Sequence, residues 1–293
     1  MSQAASPKIR IGVGGWNYEP WRGAFYPKGL PHPRELEYAS RKLTSIEIDS
    51  TYYGSKTPDS FRKWRDATPD DFVFAVKGPR FATNRRILAE ARPSVERFFA
   101  SGVTELKGKL GPINWQFATT KRFDSDDFGA FLRLLPSSVD GLALRHAVEV
   151  RNLSFRTPDF VALAREHKVA IVIAGDSEFP QIADLTAPFV YARIMGTCEE
   201  EELGYSARAL GTWAQRARTW AEGAAPADLE TVDPAAMAFA RDVFLYVISG
   251  FKARNPAAAM ALIDRLDRPN DAGAARGASS AAGAPRRRMK RAQ

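Results

Sequence analysis

The chain has 293 residues, of which 45% are apolar, so it is long enough to bury a large core. Its net charge is +8, but six basic residues and only one acidic residue lie between positions 269 and 293. The basic character therefore belongs mostly to this terminal segment and says little about the folded part. Cys198 is the single cysteine, which excludes an intramolecular disulfide and favours a reducing compartment.

The start of the chain and its apolar runs bear on location. Residues 1–8 contain no apolar segment typical of a secretion signal, and no apolar run is long enough to cross a bilayer. We therefore expect a cytoplasmic protein without a membrane-spanning helix. No pattern in the sequence specifies the oligomeric state.

Eight short apolar segments predict strands, and helix signals lie between most of them. The strand segments cover residues 8–13, 45–48, 72–76, 112–117, 142–150, 169–174, 189–194 and 243–248. Thr-Pro-Asp occurs at 57–59 and again at 157–159. In both places threonine is a good helix cap and proline suits the first helical turn. This alternation is typical of parallel strands joined by helices.

Eight strand–helix units in about 260 residues match the size of a (β/α)8 barrel. We predict an α/β fold, a TIM-type barrel that forms a single domain over residues 9–268. A doubly wound open sheet is the alternative, but Gly12, Gly14 and Gly15 lack the G-x-G-x-x-G spacing that such a sheet usually carries. Residues 1–8 are predicted to be flexible. Residues 269–293, rich in Ala, Gly, Ser and Arg, are predicted to be a disordered basic tail.

The segment over residues 142–150 predicts a strand that ends in polar side chains. Leu144 and Val148 share one parity, whereas Glu149 and Arg151 share the other, and alternate residues of a strand face opposite sides. A buried carboxylate and guanidinium need polar surroundings. We therefore expect Glu149 and Arg151 to face a cleft or the barrel interior.

Polar side chains at the carboxyl ends of barrel strands are candidates for a site, because active sites of such barrels lie there. We predict Glu149, Glu47 and Lys77 as catalytic residues, since carboxylates and amines act as general acids and bases. Asp49 stands at the same strand end as Glu47. The predicted substrate-binding residues would clamp an anion, orient hydroxyl groups or wall the mouth. They are Arg151, Arg193, Gln116, Asp176, Tyr52, Trp16, Trp21 and Arg80.

The same charges have a second interpretation, as ion pairs that fill the barrel without taking part in chemistry. Trp16 and Trp21 could likewise pack a loop against the barrel. Glu47 and Glu149 are expected to lie three strands apart, too far for the carboxylate pair of a retaining glycosidase.

Metal and nucleophile chemistry find little support in the sequence. His146 is expected to face the helices, and His32 and His167 lie in other regions, which disfavours a histidine metal site or a Ser-His-Asp triad. We predict no metal and no cofactor. A magnesium site made of Glu47, Glu149 and Asp176 is left as an alternative.

Six motifs resemble the YecE-like family, the domain of unknown function 72. They are Gly-Val-Gly-Gly-Trp at 12–16 with Trp-Arg-Gly at 21–23 and Phe-Tyr-Pro at 25–27, Ile-Glu-Ile-Asp-Ser-Thr-Tyr-Tyr at 46–53, Phe-Val-Phe-Ala-Val-Lys-Gly-Pro at 72–79, Lys-Leu-Gly-Pro at 109–112 with Gln116, His-Ala-Val-Glu-Val-Arg at 146–151, and Pro-Phe-Val-Tyr-Ala-Arg at 188–193. The resemblance covers residues 9–266 and implies a TIM-type barrel, but it implies no reaction. The chain departs from the family at 248–255, where an asparagine-rich segment is usual. It departs again at Asn84, where a histidine is common, so a role of that histidine does not transfer.

Two functions remain open from the sequence. The first is a metal-independent barrel enzyme, a hydrolase, lyase or isomerase, that uses acid–base chemistry on a small anionic or polyhydroxylated substrate such as a sugar phosphate. The second is a nucleic-acid-associated protein, a binder or a nuclease. In that case the basic residues at 286–291 would bind phosphates through counterion release. A solubilising extension is the simpler interpretation of this tail.

Overall fold

The structure is a computed structural model that describes residues 6–234 and 238–268. Its strands are β1 (Ile9–Gly14), β2 (Ser45–Ile48), β3 (Val73–Lys77), β4 (Leu110–Gln116), β5 (Ser138–Val139), β6 (Leu142–Ala143), β7 (His146–Glu149), β8 (Ala170–Ile171), β9 (Ile173–Gly175), β10 (Phe189–Ile194) and β11 (Asp242–Val247). Its helices are α1 (Glu35–Ala39), α2 (Ser50–Tyr53), α3 (Pro58–Asp66), α4 (Arg80–Thr83), α5 (Arg92–Ala100), α6 (Ser125–Leu132), α7 (Pro158–Glu166), α8 (Ala207–Ala221) and α9 (Asn255–Asp267). Short 3-10 turns connect several of these elements.

The main sheet closes into a barrel. Its strand order is β8-β7-β4-β3-β2-β1-β11-β10-β9, and the neighbouring strands run parallel. Only Val172 separates β8 from β9 in the chain, so these two segments are halves of one strand. The first half pairs with β7 and the second with β10, which joins the two edges of the sheet. The predicted TIM-type barrel is therefore confirmed.

The side chain of Thr186 supports the broken strand from outside the ladder. Its hydroxyl oxygen lies 3.1 Å from the Ile171 backbone nitrogen, from which it accepts a hydrogen bond. The same hydroxyl donates to the Val169 carbonyl at 2.7 Å. We call residues 170–175 together with Thr186 the barrel seam.

The two Thr-Pro-Asp signatures begin helices, as predicted. Thr57 accepts a hydrogen bond from the Ser60 N–H at the start of α3, and Thr157 accepts one from the Phe160 N–H at the start of α7. Each cap satisfies an amide that has no partner within its helix. The caps thereby fix helices that bury Phe61 and Phe160 completely.

The barrel interior has an apolar part and a charged part. The apolar part consists of Val73, Ala75, Ala147, Ala170, Val172, Ala187, Phe189, Tyr191, Phe244, Tyr246 and Ile248. The rings of Tyr191 and Tyr246 lie 5.2 Å apart, and the Tyr246 hydroxyl lies 2.8 Å from that of Ser45. Interior residues nearer the carboxyl ends of the strands are charged. Tyr191 and Tyr246 therefore lie directly beneath these charges and separate them from the apolar part of the interior.

The prediction of one continuous strand over residues 142–150 is wrong. β6 pairs with β5 in an antiparallel hairpin, whereas β7 alone enters the barrel. Asp140 and Gly141 make the hairpin turn with φ angles of 51° and 76°. Asp-Gly is a favoured pair for such a turn because both positions require positive φ. The chain therefore reverses direction before the barrel strand begins.

Both chain ends lie partly outside the described residues. Residues 269–293, predicted to be a disordered basic tail, are outside them, as are residues 1–5 of the segment predicted to be flexible. Lys8, at the end of that segment, donates its backbone N–H to Asp242 at 2.9 Å. In the part of the chain that the structure describes, no helix is long and apolar enough to cross a membrane.

Candidate active site

A layer of charged side chains fills the interior at the carboxyl ends of the strands. Glu47 on β2, Glu149 on β7 and Arg193 on β10 are each 2% exposed or less. Arg193 Nη2 lies 3.0 Å from Glu47 Oε1, and Arg193 Nη1 lies 2.5 Å from Glu149 Oε2. Asn114 Nδ2 on β4 lies 3.3 Å from Glu47 Oε2 and 3.2 Å from Glu149 Oε2. Tyr191 donates its hydroxyl hydrogen to Glu47. We call these five residues the buried charge layer.

The expectation that Glu47 and Glu149 lie far apart is wrong. Each has an oxygen within 3.3 Å of the same Asn114 nitrogen. The interior of an eight-stranded barrel is only wide enough for side chains to fill, so residues three strands apart meet at its centre. Both carboxylates are nevertheless sealed from solvent and bound to Arg193, so neither is a free glycosidase nucleophile.

Neighbouring cations keep the two carboxylates of the buried charge layer ionised. Burial opposes ionisation of Glu149, but Arg193, Arg151 and Lys77 outweigh it and lower its pKa to about 2. The pKa of Glu47 is also lowered, because Arg193 and Lys77 outweigh the effect of its burial. Near neutral pH these carboxylates therefore remain charged and hold no proton to exchange.

A second group of polar side chains lies further out, and two of its members, Asp49 and Arg151, reach solvent. Lys77 Nζ on β3 lies 2.6 Å from Gln116 Oε1 and 3.7 Å from Asp49 Oδ1. Arg151 donates to Glu149 Oε1 from Nε at 2.9 Å and from Nη2 at 2.7 Å. The Asp49 side chain is 33% exposed, whereas that of Glu149 is 1% exposed. We call Asp49, Lys77, Gln116 and Arg151 the mouth group.

Asp49 and Lys77 have pKa values that move toward neutrality. Burial and the negative charge of Glu47 raise the pKa of Asp49 to about 6, although Lys77 acts in the opposite direction. Burial, helped by the charge of Arg193, lowers the pKa of Lys77. Such shifts suit groups that exchange protons near pH 7. Gly14 leaves room for Asp49, because a Cβ there would lie 2.7 Å from Asp49 Oδ2.

A cleft of about 300 Å³ opens beside Asp49. Its aromatic members are Trp16, which packs edge-on against Trp64 at 5.3 Å, Tyr18, and Tyr53, which is 65% exposed. We call it the mouth cleft, lined by Gly14, Gly15, Trp16, Asn17, Tyr18, Ile48, Asp49, Ser50, Tyr53 and Lys252. A cleft of this size, with an aromatic wall and a few polar groups, suits a small ligand.

Most of the predicted site residues come together. Glu47, Glu149 and Arg193 lie in the buried charge layer, while Lys77, Gln116 and Arg151 lie in the mouth group above it. Tyr52 lies beside them, with its ring centroid 4.6 Å from Lys77 Nζ. Trp16 lines the cleft.

Three predicted residues lie elsewhere. Trp21 is completely buried, and its indole N–H donates to the Lys252 carbonyl at 2.9 Å, so it supports the loop from behind. Asp176 accepts a hydrogen bond from the Trp213 indole at 2.7 Å and is held against α8. Arg80 is exposed on the rim, 5.8 Å from the centroid of the Tyr53 ring.

The magnesium alternative requires Asp176 to lie beside Glu47 and Glu149, but the fold holds Asp176 against α8. Asp176 is bound to Trp213, whereas Glu47 and Glu149 are both bound to Arg193. Within residues 6–234 and 238–268, no three His, Cys, Asp or Glu side chains gather where they could hold a metal ion.

Two residues of this region, Asp49 and Lys252, are candidate functional residues that the sequence analysis did not select. Asp49 shares strand parity with Glu47, and that parity was its signal, but its exposure and its raised pKa depend on the closed barrel. Lys252 lines the mouth cleft from the loop after β11. That loop departs from the family pattern, so the resemblance offered no role for Lys252.

An eight-stranded parallel barrel with charged groups at the carboxyl ends of its strands defines a TIM-type barrel protein. The family model described as "Protein of unknown function DUF72" matches residues 10–282, so the chain belongs to the DUF72 family. The YecE-like resemblance is thereby confirmed.

Solved DUF72 structures are similar to this fold. A DUF72 family protein from Thermotoga maritima is 20% identical with a TM-score of 0.69, and the match covers 89% of this chain and 100% of that one. A DUF72 family protein from Enterococcus faecalis is 18% identical with a TM-score of 0.65, covering 90% and 97%. At this identity the likeness shows the fold alone. No protein with a curated description matches the chain.

Proposed function

We propose that the chain is a barrel enzyme that carries out acid–base chemistry on a small anionic or polyhydroxylated substrate. Asp49 and Lys77 are the proposed proton-transfer groups. The observation that carries the proposal is that Asp49 lines an aromatic cleft and faces Lys77 at 3.7 Å, with the pKa values of both groups shifted toward neutrality. Perturbed titrating groups beside a cleft are a typical mark of an active site.

The proposed reaction divides proton removal and charge stabilisation between the two groups. Ionised Asp49 takes a proton from a substrate hydroxyl or from a carbon next to a carbonyl. Protonated Lys77, whose Nζ is oriented by its hydrogen bond to Gln116 Oε1 at 2.6 Å, donates a proton to the oxygen on which negative charge develops, or stabilises that charge. The side chains supply both steps without a metal or an organic cofactor.

The predicted catalytic role of Glu47 and Glu149 changes in this proposal. Both are sealed beneath the mouth group and bound to Arg193, so they act as positioning residues. Glu47 raises the pKa of Asp49 through its charge. Glu149 fixes Arg151, whose side chain remains 21% exposed and is proposed to bind an anionic group.

The test is a search for turnover in D2O with a matched pair of variants. The protein is incubated with sugar phosphates, sugar acids and free sugars, and NMR follows both product formation and C–H exchange with solvent. Asp49→Asn is expected to slow the reaction by roughly 100-fold or more, the usual contribution of a general base. Asp176→Asn is the control, because Asp176 ends a barrel strand but is bound to Trp213. Absence of turnover across the panel, or full activity in Asp49→Asn, would contradict the proposal.

The nucleic-acid hypothesis keeps only its support from the sequence. The basic residues at 286–291 lie outside the described residues. A cytoplasmic location likewise stays a prediction that rests on the single cysteine, Cys198. Adding a short DNA and a short RNA oligonucleotide to the panel, at two salt concentrations, compares the two functions directly.

A further inference from the structure

We propose that Lys252 binds an anionic group in the mouth cleft, and that the ligand of this cleft is an anionic sugar. The ligand carries a phosphate or a carboxylate on a polyhydroxylated body. This inference rests on the proposed function, because it names the substrate class of the same site. The binding of the anion is nevertheless measurable whether or not turnover is found.

The charges beneath the cleft balance one another without Lys252. Three carboxylates face three cations in the mouth group and the buried charge layer, namely Glu47, Asp49, Glu149, Lys77, Arg151 and Arg193. Lys252 forms no ion pair with any carboxylate of the described residues. Asp49 also lines the cleft, but it faces Lys77 at 3.7 Å, so the ammonium of Lys252 stays without a carboxylate partner and is available to an anion.

The rim of the cleft carries a second unbalanced cation. Arg80 stands 5.8 Å from the centroid of the Tyr53 ring, and Tyr53 lines the cleft. Among the described residues, Arg80 has no carboxylate partner either. An exposed cation beside Tyr53 favours approach of a negatively charged ligand to the cleft.

The loop that carries Lys252 is held in place before any ligand arrives. Ser249 and Gly250 both have positive φ, 63° and 61°, and a Cβ at Gly250 would lie 2.5 Å from the Thr197 carbonyl oxygen. The Lys252 carbonyl accepts the Trp21 indole hydrogen bond at 2.9 Å. Its ammonium lies 4.6 Å from the centroid of the Tyr18 ring, a cation–π contact that directs it along the aromatic wall.

The cleft lining matches the other half of such a ligand. The rings of Trp16 and Tyr53 offer flat apolar surface, and Asp49 and Ser50 offer hydrogen-bonding groups to hydroxyls. With the anion at Lys252, a sugar-sized body in about 300 Å³ reaches Asp49, the proposed base. The loop after β11 is the loop after the eighth barrel strand, a place where TIM barrels frequently bind phosphate.

The experiment measures the affinity of three probes that differ in charge. Glucose 6-phosphate, glucuronate and uncharged glucose are titrated into the full-length protein by calorimetry. They are then titrated into Lys252→Met and Lys42→Met. Lys42 is the matched control, because it also stands over a tyrosine ring, Tyr38 at 5.9 Å, but outside the cleft. Replacing Lys252 by methionine keeps an unbranched side chain only one atom shorter and removes its charge.

Lys252→Met is expected to weaken binding of at least one anionic probe by about tenfold or more, the scale of one charge-assisted hydrogen bond. It should leave glucose unaffected, and Lys42→Met should match the native protein. Preference between the two anionic probes tells phosphate from carboxylate. Failure of both anionic probes to bind, or equal binding by native protein and Lys252→Met, would overturn the inference. If Lys252-dependent binding is found without turnover by any substrate, the anion site stands and the proposed reaction fails.

Discussion

The buried charge layer and the mouth group both combine carboxylates with cations, yet only the mouth group has side chains that reach solvent, those of Asp49 and Arg151. In the buried layer, Glu149 is 1% exposed and contacts two guanidinium groups. In the mouth group, Asp49 is 33% exposed and faces one ammonium at 3.7 Å, with Glu47 behind it. The pKa of Glu149 falls to about 2, and that of Asp49 rises to about 6. A carboxylate in this barrel is thus structural or reactive according to its cations and its access to water.

The largest expected effect comes from removing the central cation of the buried layer. Arg193→Met leaves Glu47 and Glu149 buried without their main partner, which is expected to lower the free energy of unfolding by about 3–5 kcal/mol. Denaturation by urea measures it. The control is Arg151→Met, which removes a partly exposed partner of the same Glu149 and should cost less. Equal losses in the two variants would remove the distinction between the two regions.

Acid should act on the native protein through the buried layer. The folded-state pKa of Glu149 lies below its ordinary value of 4.5, so its stabilisation is present above pH 4.5 and is lost as pH falls toward 2. The loss is expected to be about 3 kcal/mol, on the scale of 1.4 kcal/mol per pKa unit. Urea titrations of Asp49→Asn, which lacks the opposing titration of Asp49, should show about 2 kcal/mol of this loss between pH 6 and pH 3. Constant stability of that variant over this range would mean that Glu149 is not held ionised.

A methyl group at Gly14 should disturb the mouth group without touching the buried layer. Its Cβ would lie 2.7 Å from Asp49 Oδ2 and 2.9 Å from Ile248 Cδ1, so Asp49 must move. Gly14→Ala is expected to cost about 1–3 kcal/mol of stability, the usual range for overpacking, and to reduce turnover. Gly211→Ala in α8 is the control, because open space surrounds that position and alanine favours a helix. Activity in Gly14→Ala equal to that of the control would argue against Asp49.

The smallest effect has the opposite sign. Because the folded-state pKa of Asp49 is raised, its ionisation destabilises the fold as pH rises from about 4 to about 6. Asp49→Asn is therefore expected to stabilise the protein at pH 7 by about 1 kcal/mol, a value reduced for solvent screening. At pH 4 the two proteins should be equally stable. A variant that gains stability while it loses turnover would mark Asp49 as a residue kept for function.

The catalytic pH profile addresses the same residue without mutation. If Asp49 is the base, kcat/KM should rise as pH increases through about 6, where its carboxyl loses a proton. At higher pH the activity should fall as Lys77 loses its proton, at a value below its ordinary pKa. A profile that is flat between pH 5 and 7 would assign the base role to another group.

The positions of most strands, and the side to which their residues point, could be predicted from the sequence, because periodicity and turn residues are local signals. Parity alone directed Glu149, Arg151, Lys77 and Gln116 toward the interior. The Asp140–Gly141 turn was also a local signal, and overlooking it produced the error over residues 142–150. The sequence could not predict how deeply each of these side chains is buried, because burial depends on closure of the barrel. The meeting of Glu47 with Glu149 and the burial of Trp21 both follow from contacts made across the whole fold.

The barrel seam is the part of the barrel wall with the fewest strand-to-strand hydrogen bonds among the described residues. β8 and β9 each pair with one neighbour only, and the Thr186 hydroxyl supplies contacts that a continuous strand would make through its backbone. The two edges of the sheet are joined only by the short segments β8 and β9 and by the hydrogen bonds of the Thr186 side chain. We expect amide hydrogen exchange to be faster at residues 170–172 than in β1 and β11, whose residues pair on both sides. Thr186→Val keeps the shape of the side chain and removes its two hydrogen bonds, so it should widen that difference in exchange rate.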